Sequence, residues 1–254
     1  MSNTQFVSPT ARSEMMQIST WMDFEVTDTA GTWIGSVHDY VLNTCEAHII
    51  YVAIQTGNGE LILMPYEVVT LGGGYLDPED RVIAVPIAAG EFENAPTVAA
   101  DLDITIVTWE TETRDFWSNY LNLSNLTPAC LIGDNVVIID YASNILGASI
   151  QDGNGQPIGT IEDVTLYPET GLLRFVVISL DEGGYRLAPM GAINIESQGA
   201  ESETAFVMLV EREILMSSPA YDSIPDTTQD NWEGEPLEYW SSHVPMTREA
   251  QQQE

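Results

Sequence analysis

The sequence predicts a mainly β protein built from two tandem small antiparallel β-barrels, each followed by a short aromatic-rich helix. Three observations lead to this fold class. The chain of 254 residues repeats itself at a nearly constant offset. Each repeat contains short apolar, β-branched segments separated by turn-forming residues every ten residues or so, a spacing typical of a small barrel or sandwich. Both repeats also end in the same aromatic motif.

The repeat is nearly free of gaps. An offset of 124 residues superposes residues 26–83 on residues 150–207. The identical pairs include Asp28 with Asp152, Gly31 with Gly155, Ile34 with Ile158, Gly35 with Gly159, Asp39 with Asp163, Leu42 with Leu166, Val52 with Val176 and Pro65 with Pro189. After a slip of one residue, the motif W-E-x-x-x-x-x-(F/Y)-W-S closes both copies. A duplication of this length predicts two copies of one structural unit.

The repeat divides the chain into five segments. We predict an N-terminal tail over 1–16, a first unit over 17–121, a linker over 122–140, a second unit over 141–244 and a polar tail over 245–254. The N-terminus lacks the apolar stretch of a signal peptide, and no apolar run approaches the roughly 20 residues that span a bilayer. We therefore expect a cytoplasmic protein without direct membrane insertion, peripheral to a membrane only through a protein partner.

Strand signals are clearest in the second unit. The turn formers DGNGQPIG, YPETG and DEGG separate its apolar segments. The predicted strands cover 145–152, 158–167, 172–180, 185–190, 192–197 and 204–210. Closing such strands into a barrel would remove their exposed edges.

Four tryptophans mark the ends of the two units. Trp109 and Trp117 close the first unit, and Trp232 and Trp240 occupy the same places in the second. Aromatic residues at positions i, i+7 and i+8 fit one face of a short helix. We expect this helix to pack on the barrel with most of the tryptophans in the core. A contact with a partner is the alternative, because tryptophan is enriched at binding hot spots.

The motifs also resemble a known family. The stretch L-G-x-x-I-x-D-x-x-G-x-x-I-G-x-I-E-D-V-x-L-Y-P-E-T-G-x-L-R-F-V-V-I, followed by R-L-A-P and S-S-P-A-Y, is similar to the PRC-barrel domain. The first unit matches through W-I-G-S-V-H-D-Y-V-L, I-I-Y-V-A-I and L-M-P-Y-E-V-V. The resemblance implies a small β-barrel that binds other macromolecules, as in the cytoplasmic part of the photosynthetic reaction-centre H subunit. It implies no shared catalytic site.

Four repeated residues are candidates for a special role. Gly35 and Gly159 begin matching strands, and we expect a close contact or a backbone conformation there that a Cβ would disturb. Asp39 and Asp163 follow these glycines. We expect each carboxylate to accept backbone N–H bonds and hold a tight loop. Proton relay to a cofactor of a partner is the functional alternative.

Signs of catalysis or metal binding are weak. The chain contains none of the common nucleophile, phosphate-loop or zinc-protease motifs. The spacing of Asp152, Asn154, Gln156 and Asp163 faintly resembles a calcium loop. Pro157 stands where that loop needs glycine, so a β-turn is the preferred interpretation. Cys45 and His48 are three residues apart on an expected strand and would point to opposite faces. We predict no enzyme activity, no cofactor and no metal site.

The charge limits the choice of partner. The chain has 39 acidic residues and seven basic ones, all arginine, for a net charge of −32. Such a polyanion repels nucleic acids and anionic membranes, so we expect neither as a partner. A protein with a basic surface is the leading partner, and a membrane complex such as a photosynthetic reaction centre is one candidate. The alternatives are a self-assembling or stress-related stand-alone barrel that forms a homo-oligomer, an enzyme or small-ligand binder that uses the barrel groove, or acidity that serves only solubility or salt adaptation.

Overall fold

Strands dominate the fold, as the sequence predicts. The computed structural model describes residues 15–44, 46–70, 75–77, 79–104, 108–121, 131–132, 136–137, 139–196, 205–229 and 231–244. Both predicted units are present as copies of one barrel-like, strongly curled arrangement of strands.

The first unit runs from an N-terminal strand to an aromatic helix. Its elements are β1 (Met16–Gln17), a 3₁₀ helix (Ile18–Trp21), β2 (Glu25–Asp28), β3 (Trp33–Asn43), β4 (His48–Thr56), β5 (Leu61–Pro65), α1 (Glu67–Thr70), β6 (Tyr75–Asp77), β7 (Val82–Val85), α2 (Ala89–Phe92), β8 (Thr97–Val98) and α3 (Thr108–Trp117). A separate pair, β9 (Leu131–Ile132) and β10 (Val136–Val137), lies in the predicted linker.

The second unit repeats this order. Its elements are β11 (Ile139–Tyr141), α4 (Ala142–Ile145), β12 (Ser149–Gln151), β13 (Pro157–Tyr167), β14 (Leu172–Leu180), β15 (Tyr185–Pro189), a 3₁₀ helix (Met190–Ala192), β16 (Ile193–Glu196), β17 (Ala205–Met208), α5 (Arg212–Ser217), β18 (Ala220–Tyr221) and α6 (Gly234–Ser241). Each element has a counterpart in the first unit, so the duplication predicted from the offset is confirmed in the described residues.

The strand order is symmetric about its centre. One sheet runs β6–β7–β2–β3–β4–β14–β13–β12–β17–β16, and β5 and β15 branch from β4 and β14. Most neighbours are antiparallel, as expected, but β2 pairs with β7, and β12 with β17, in parallel. The expectation of purely antiparallel barrels needs this refinement. The two strands of each parallel pair are joined by a long connection that contains several other strands. A tight hairpin can join only antiparallel strands.

The two units meet at the centre of this sheet. The amide of Ile49 donates to the carbonyl of Gly171 at 2.9 Å, and the amide of Leu173 donates to the carbonyl of Ala47 at 2.7 Å. Both pairs follow the 124-residue offset, so the second bond is the image of the first. The units are therefore related by an approximate twofold axis between β4 and β14.

The first segment of each unit pairs with a strand of the other unit. Strand β1 pairs with β13, with Met16 opposite Leu166, and β11 pairs with β3, with Tyr141 opposite Val41. The predicted N-terminal tail, 1–16, includes Met16, and the predicted linker, 122–140, includes the first two residues of β11. These residues all lie in paired strands. The sequence units and the spatial units therefore differ, because their first segments are exchanged.

Apolar anchors fix the exchanged segments. Ile18 and Trp21 follow β1 and are fully buried, and Ala142 and Ile145 follow β11 and are buried in the same way. All four belong to one core cluster that includes buried residues from both units. In a smaller buried cluster, Ile139 of β11 packs among residues of the first unit. Burial of these side chains gives the exchange its hydrophobic stabilisation.

Two matching glycines lie where a Cβ would meet the neighbouring strand. A Cβ on Gly35 would overlap the carbonyl oxygen of Gln55 and lie 2.8 Å from Cγ2 of Ile54. A Cβ on Gly159 would overlap the carbonyl oxygen of Ser179 and lie 3.0 Å from Cα of Leu180. Neither glycine has a positive φ. The constraint is therefore the approach of β4 to β3, and of β14 to β13, and not an unusual backbone conformation.

We expect Gly159→Ala to lower the free energy of unfolding by about 1–3 kcal/mol, because its Cβ meets backbone atoms that a side chain rotation cannot move away. Gly153→Ala is the matched control, since a Cβ there has open space around it, and its effect should stay within about 0.5 kcal/mol. Urea unfolding followed by circular dichroism measures both. Equal effects of the two substitutions would contradict the close-contact explanation.

Candidate interaction surface

Asp39 fastens the second unit's first segment to the first unit. Its Oδ1 accepts the amides of Tyr40 at 2.7 Å and Ser143 at 3.3 Å, and its Oδ2 accepts the hydroxyl of Ser143. The strand register shifts between Val37 and Asp39, which forms a bulge. The bulge turns the carboxylate toward the N-terminus of the exchanged helix α4.

Asp163 repeats this arrangement in the other direction. Its Oδ1 accepts the amides of Val164 at 2.8 Å and Ser19 at 3.2 Å, and its Oδ2 accepts the hydroxyl of Ser19. A bulge again precedes the aspartate, between Ile161 and Asp163. We call the two sets of contacts, Asp39 with Ser143 and Asp163 with Ser19, the exchange latches.

Burial sets the chemistry of both latches. Asp39 is 4% exposed and Asp163 is 3% exposed. Loss of solvent raises the pKa of both carboxyls above their ordinary value, and the hydrogen bonds from serine and from backbone amides partly offset the rise. Both oxygens of each carboxylate accept bonds from the chain itself. Each aspartate thus accepts the amide of the next residue in its own strand and holds a serine of the opposite unit, and it does not hold the glycine turn that precedes it.

One tryptophan in each unit donates a hydrogen bond to a strand at the edge of its barrel. The indole N–H of Trp117 donates to the carbonyl of Leu63 at 2.8 Å, and that of Trp240 donates to the carbonyl of Leu187 at 2.6 Å. Both indoles are fully buried. Leu63 lies one residue beyond the part of β5 that pairs with β8. The indole therefore supplies a donor where the neighbouring strand has ended.

The other two tryptophans differ between the units. Trp109 is buried, donates to the carbonyl of Ile104 at 3.1 Å and packs edge-on against Tyr51 at 5.2 Å. Trp232 is half-buried and packs edge-on against Phe175 at 6.1 Å. The four tryptophans thus contribute chiefly to packing, which leaves little of their surface for a partner.

The loop that resembles a calcium site is a β-turn. Oδ1 of Asp152 accepts the amides of Asn154 at 2.8 Å and Gln156 at 2.9 Å. Asp28 holds the matching turn of the first unit through the amides of Ala30 and Thr32. The preference for a turn is confirmed. Of the pair Cys45 and His48, His48 lies in β4 and Cys45 lies outside the described residues.

An exposed tryptophan that the sequence analysis missed marks a surface groove. Trp33 is 48% exposed and lies at the start of β3. The groove has a volume of about 560 Å³ and is lined by the β2–β3 turn, the tip of the β4–β5 hairpin and helix α2, through residues that include Trp33, Asn58, Glu60, Ala89 and Glu93. The available signal was a difference between the repeats, since proline replaces Trp33 in the second unit.

The chain's own arginines leave most of its negative charge uncompensated. The five arginines that the structure describes each contact a carbonyl, a carboxylate or an aromatic ring of the same chain: Arg81, Arg114, Arg174, Arg186 and Arg212. Seven arginines could neutralise at most seven of the 39 carboxylates. The exterior is therefore strongly electronegative.

The fold and the latches define a class of protein, a duplicated small β-barrel whose two units exchange their first segments. A family model for the PRC-barrel domain matches residues 13–91 and 138–202, which together make up more than half of the chain. The chain belongs to the PRC-barrel domain family. Both matches begin just before an exchanged strand, so the family unit includes the segment that is exchanged. A search of curated proteins found no match.

Two further observations concern the described residues alone. None of the helices in this part of the chain has the length and apolar character required to cross a membrane. No group of three or more His, Cys, Asp or Glu side chains among these residues is arranged to hold a metal ion.

We expect Asp163→Ala to lower the free energy of unfolding at neutral pH by about 1–3 kcal/mol, because the Ser19 hydroxyl and the amides of Ser19 and Val164 lose their acceptor. Glu162→Ala is the matched control, since Glu162 is the neighbouring carboxylate and is exposed. Its effect should stay within about 0.5 kcal/mol. Denaturant unfolding of both variants is the measurement, and a loss no larger for Asp163→Ala than for Glu162→Ala would contradict the latch.

The latches also predict a pH dependence. Burial raises the folded-state pKa of Asp163 above its ordinary value of 3.8. Its protonated form therefore favours folding below that value, and this contribution is lost as pH rises through the raised pKa. Asp163→Asn, whose amide does not titrate, should lose less stability than the wild type as pH rises from about 4 to 7, because only the wild type carries the carboxyl whose pKa folding raises. An identical pH dependence for the two proteins would contradict the raised pKa.

Proposed function

We propose that this protein is a non-catalytic interaction module that docks on the basic surface of a larger protein complex. The observation that carries the proposal is the charge imbalance of 39 carboxylates against seven arginines. The described arginines already contact their own chain, so few cations remain on the exterior to weaken attraction to a basic partner.

Electrostatics would act chiefly on the encounter between the two proteins. Complementary charges orient diffusing proteins and speed their association more than they increase the final affinity. Screening at physiological salt limits this attraction to about 8 Å, so the acidic face would need to lie against the partner. Stable docking would then depend on specific contacts within the interface.

The cytoplasmic face of a membrane complex is the leading candidate for this partner. Cytoplasmic loops of membrane proteins are enriched in lysine and arginine. A protein with a net charge of −32 is complementary to such a face. In this proposal the protein lies in the cytoplasm and reaches the membrane only through its partner, as a scaffold on that complex.

The use of the repeated polar residues favours binding over catalysis. The carboxylates of Asp39 and Asp163 accept bonds from the exchanged segments, and those of Asp28 and Asp152 hold turns. Each of these four carboxylates thus has a structural partner within the chain. A docking role needs no further reactive group.

We predict that the protein, added at low salt to membranes of the cells that produce it, binds a stoichiometric protein partner with a basic exposed surface. About 50 mM salt should preserve the complex and about 500 mM should release it, because screening weakens contacts between exposed charges. Co-sedimentation followed by mass spectrometry of the bound fraction is the measurement. The proposal is wrong if the protein remains wholly in the supernatant at low salt, or if its stoichiometric partner has an acidic surface.

Nucleic acid provides the control for charge selectivity. We expect no binding to duplex DNA or to RNA at physiological salt, because both backbones carry the same sign of charge as the protein. Fluorescence anisotropy with labelled oligonucleotides measures this directly. Tight binding that weakens with salt would contradict the proposal.

A further inference from the structure

The open groove of the first unit has a filled counterpart in the second unit. The groove lies between the turn before β3, the tip of the β4–β5 hairpin and helix α2. Its counterpart lies between the turn before β13, the tip of the β14–β15 hairpin and helix α5. Most of the positions that line the groove differ between the repeats. Three of these differences concern Arg212 and its contacts: Trp33 corresponds to Pro157, Asn58 to Glu182, and Ala89, the first residue of α2, to Arg212, the first residue of α5.

Arg212 fills the place in the second unit. Its Nη1 donates to the carbonyl of Pro157 at 3.0 Å, and its Nη2 donates to Oε1 of Glu182 at 3.0 Å. The guanidinium thus bridges the first residue of β13 and the β14–β15 hairpin. A cation is the chain's own occupant of this position.

The corresponding place in the first unit is an open groove without a cation. Ala89 ends at its methyl group where Arg212 extends across the groove. The charged residues that line the groove are Glu60 on the hairpin and Glu93 at the end of α2, and its lining contains no basic residue. The indole of Trp33 lies close to the hairpin backbone, since a Cβ on Gly57 would be 3.1 Å from Cζ3 of Trp33.

We infer that the groove of the first unit binds an arginine side chain of a partner protein, in the place that Arg212 occupies in the second unit. The guanidinium stacks on the exposed indole of Trp33 and pairs with the carboxylates of Glu60 and Glu93. This inference deepens the proposed function and rests on its basic partner, since it names the residue that the partner presents and the place where it binds.

The chemistry of the groove favours arginine over other side chains. A planar guanidinium stacks on an aromatic face and donates in several directions at once, whereas a lysine ammonium is a compact, strongly hydrated charge. An apolar side chain would use the indole but leave the two carboxylates without a cation. An acidic side chain would be repelled by both of them.

The direct test titrates the full-length protein with N-acetyl-arginine methylamide at fixed ionic strength. Two-dimensional NMR follows the indole N–H of Trp33 and the backbone amide of Gly57. We expect saturable shifts at these sites, weaker binding of the lysine analogue and no binding of the uncharged citrulline analogue. Citrulline binding as strong as arginine binding, or shifts confined to other parts of the protein, would overturn the inference.

Two variants and one control locate the site. Trp33→Ala should weaken binding of the arginine compound about fivefold, as expected for loss of a cation–π contact. Leu209→Ala is the control, because Leu209 is 57% exposed and lines a different cavity. It should leave the affinity unchanged. Equal affinities of the Trp33→Ala variant and the wild-type protein would overturn the inference.

The decisive variant rebuilds the second unit's arrangement in the first. Ala89→Arg combined with Asn58→Glu should fill the groove with the chain's own guanidinium and abolish binding of the arginine compound. Unchanged binding by this double variant would overturn the inference. The results distinguish the arginine site from the docking proposal. If the wild-type protein does not bind the arginine compound but still co-sediments with membranes at low salt, only the arginine site is refuted. If it does not co-sediment with membranes at low salt, the docking proposal is refuted.

Discussion

The reciprocal exchange of first segments is the constraint on which the rest of the structure depends. Strand β11 completes the edge of β3 and β1 completes the edge of β13, so neither barrel is finished by its own repeat. The latches at Asp39 and Asp163 fix the helices that follow these strands. The buried apolar residues of both exchanged segments belong to one core cluster. The two units therefore form a single structure and not two independently folded domains.

This shared core also explains how so acidic a chain can fold. Self-repulsion among exposed carboxylates favours an expanded chain, and burial of apolar side chains opposes it. Among the described residues, the buried carboxylates are those of Asp28, Asp39, Asp152 and Asp163, and each accepts bonds from nearby amides or hydroxyls. The negative charge is therefore concentrated outside, where it is available to orient a partner.

The sequence predicted features that depend on similarity between the repeats. The strand positions along each repeat, the contacts of Gly35 and Gly159 and the burial of Trp117 and Trp240 follow from matching local patterns. The exchange could not be predicted, because the offset pairs Ser19 with Ser143 without showing which aspartate each serine contacts. The groove at Trp33 was missed for the opposite reason, since it arises where the two repeats differ.

Calorimetry of the intact chain tests the exchange most directly. If the two units complete each other, they should unfold in one transition, with a calorimetric enthalpy equal to the van't Hoff enthalpy. Asp39→Ala should then lower the midpoint of that single transition without splitting it. Two separate transitions, of which Asp39→Ala shifts one and Asp163→Ala the other, would contradict the account.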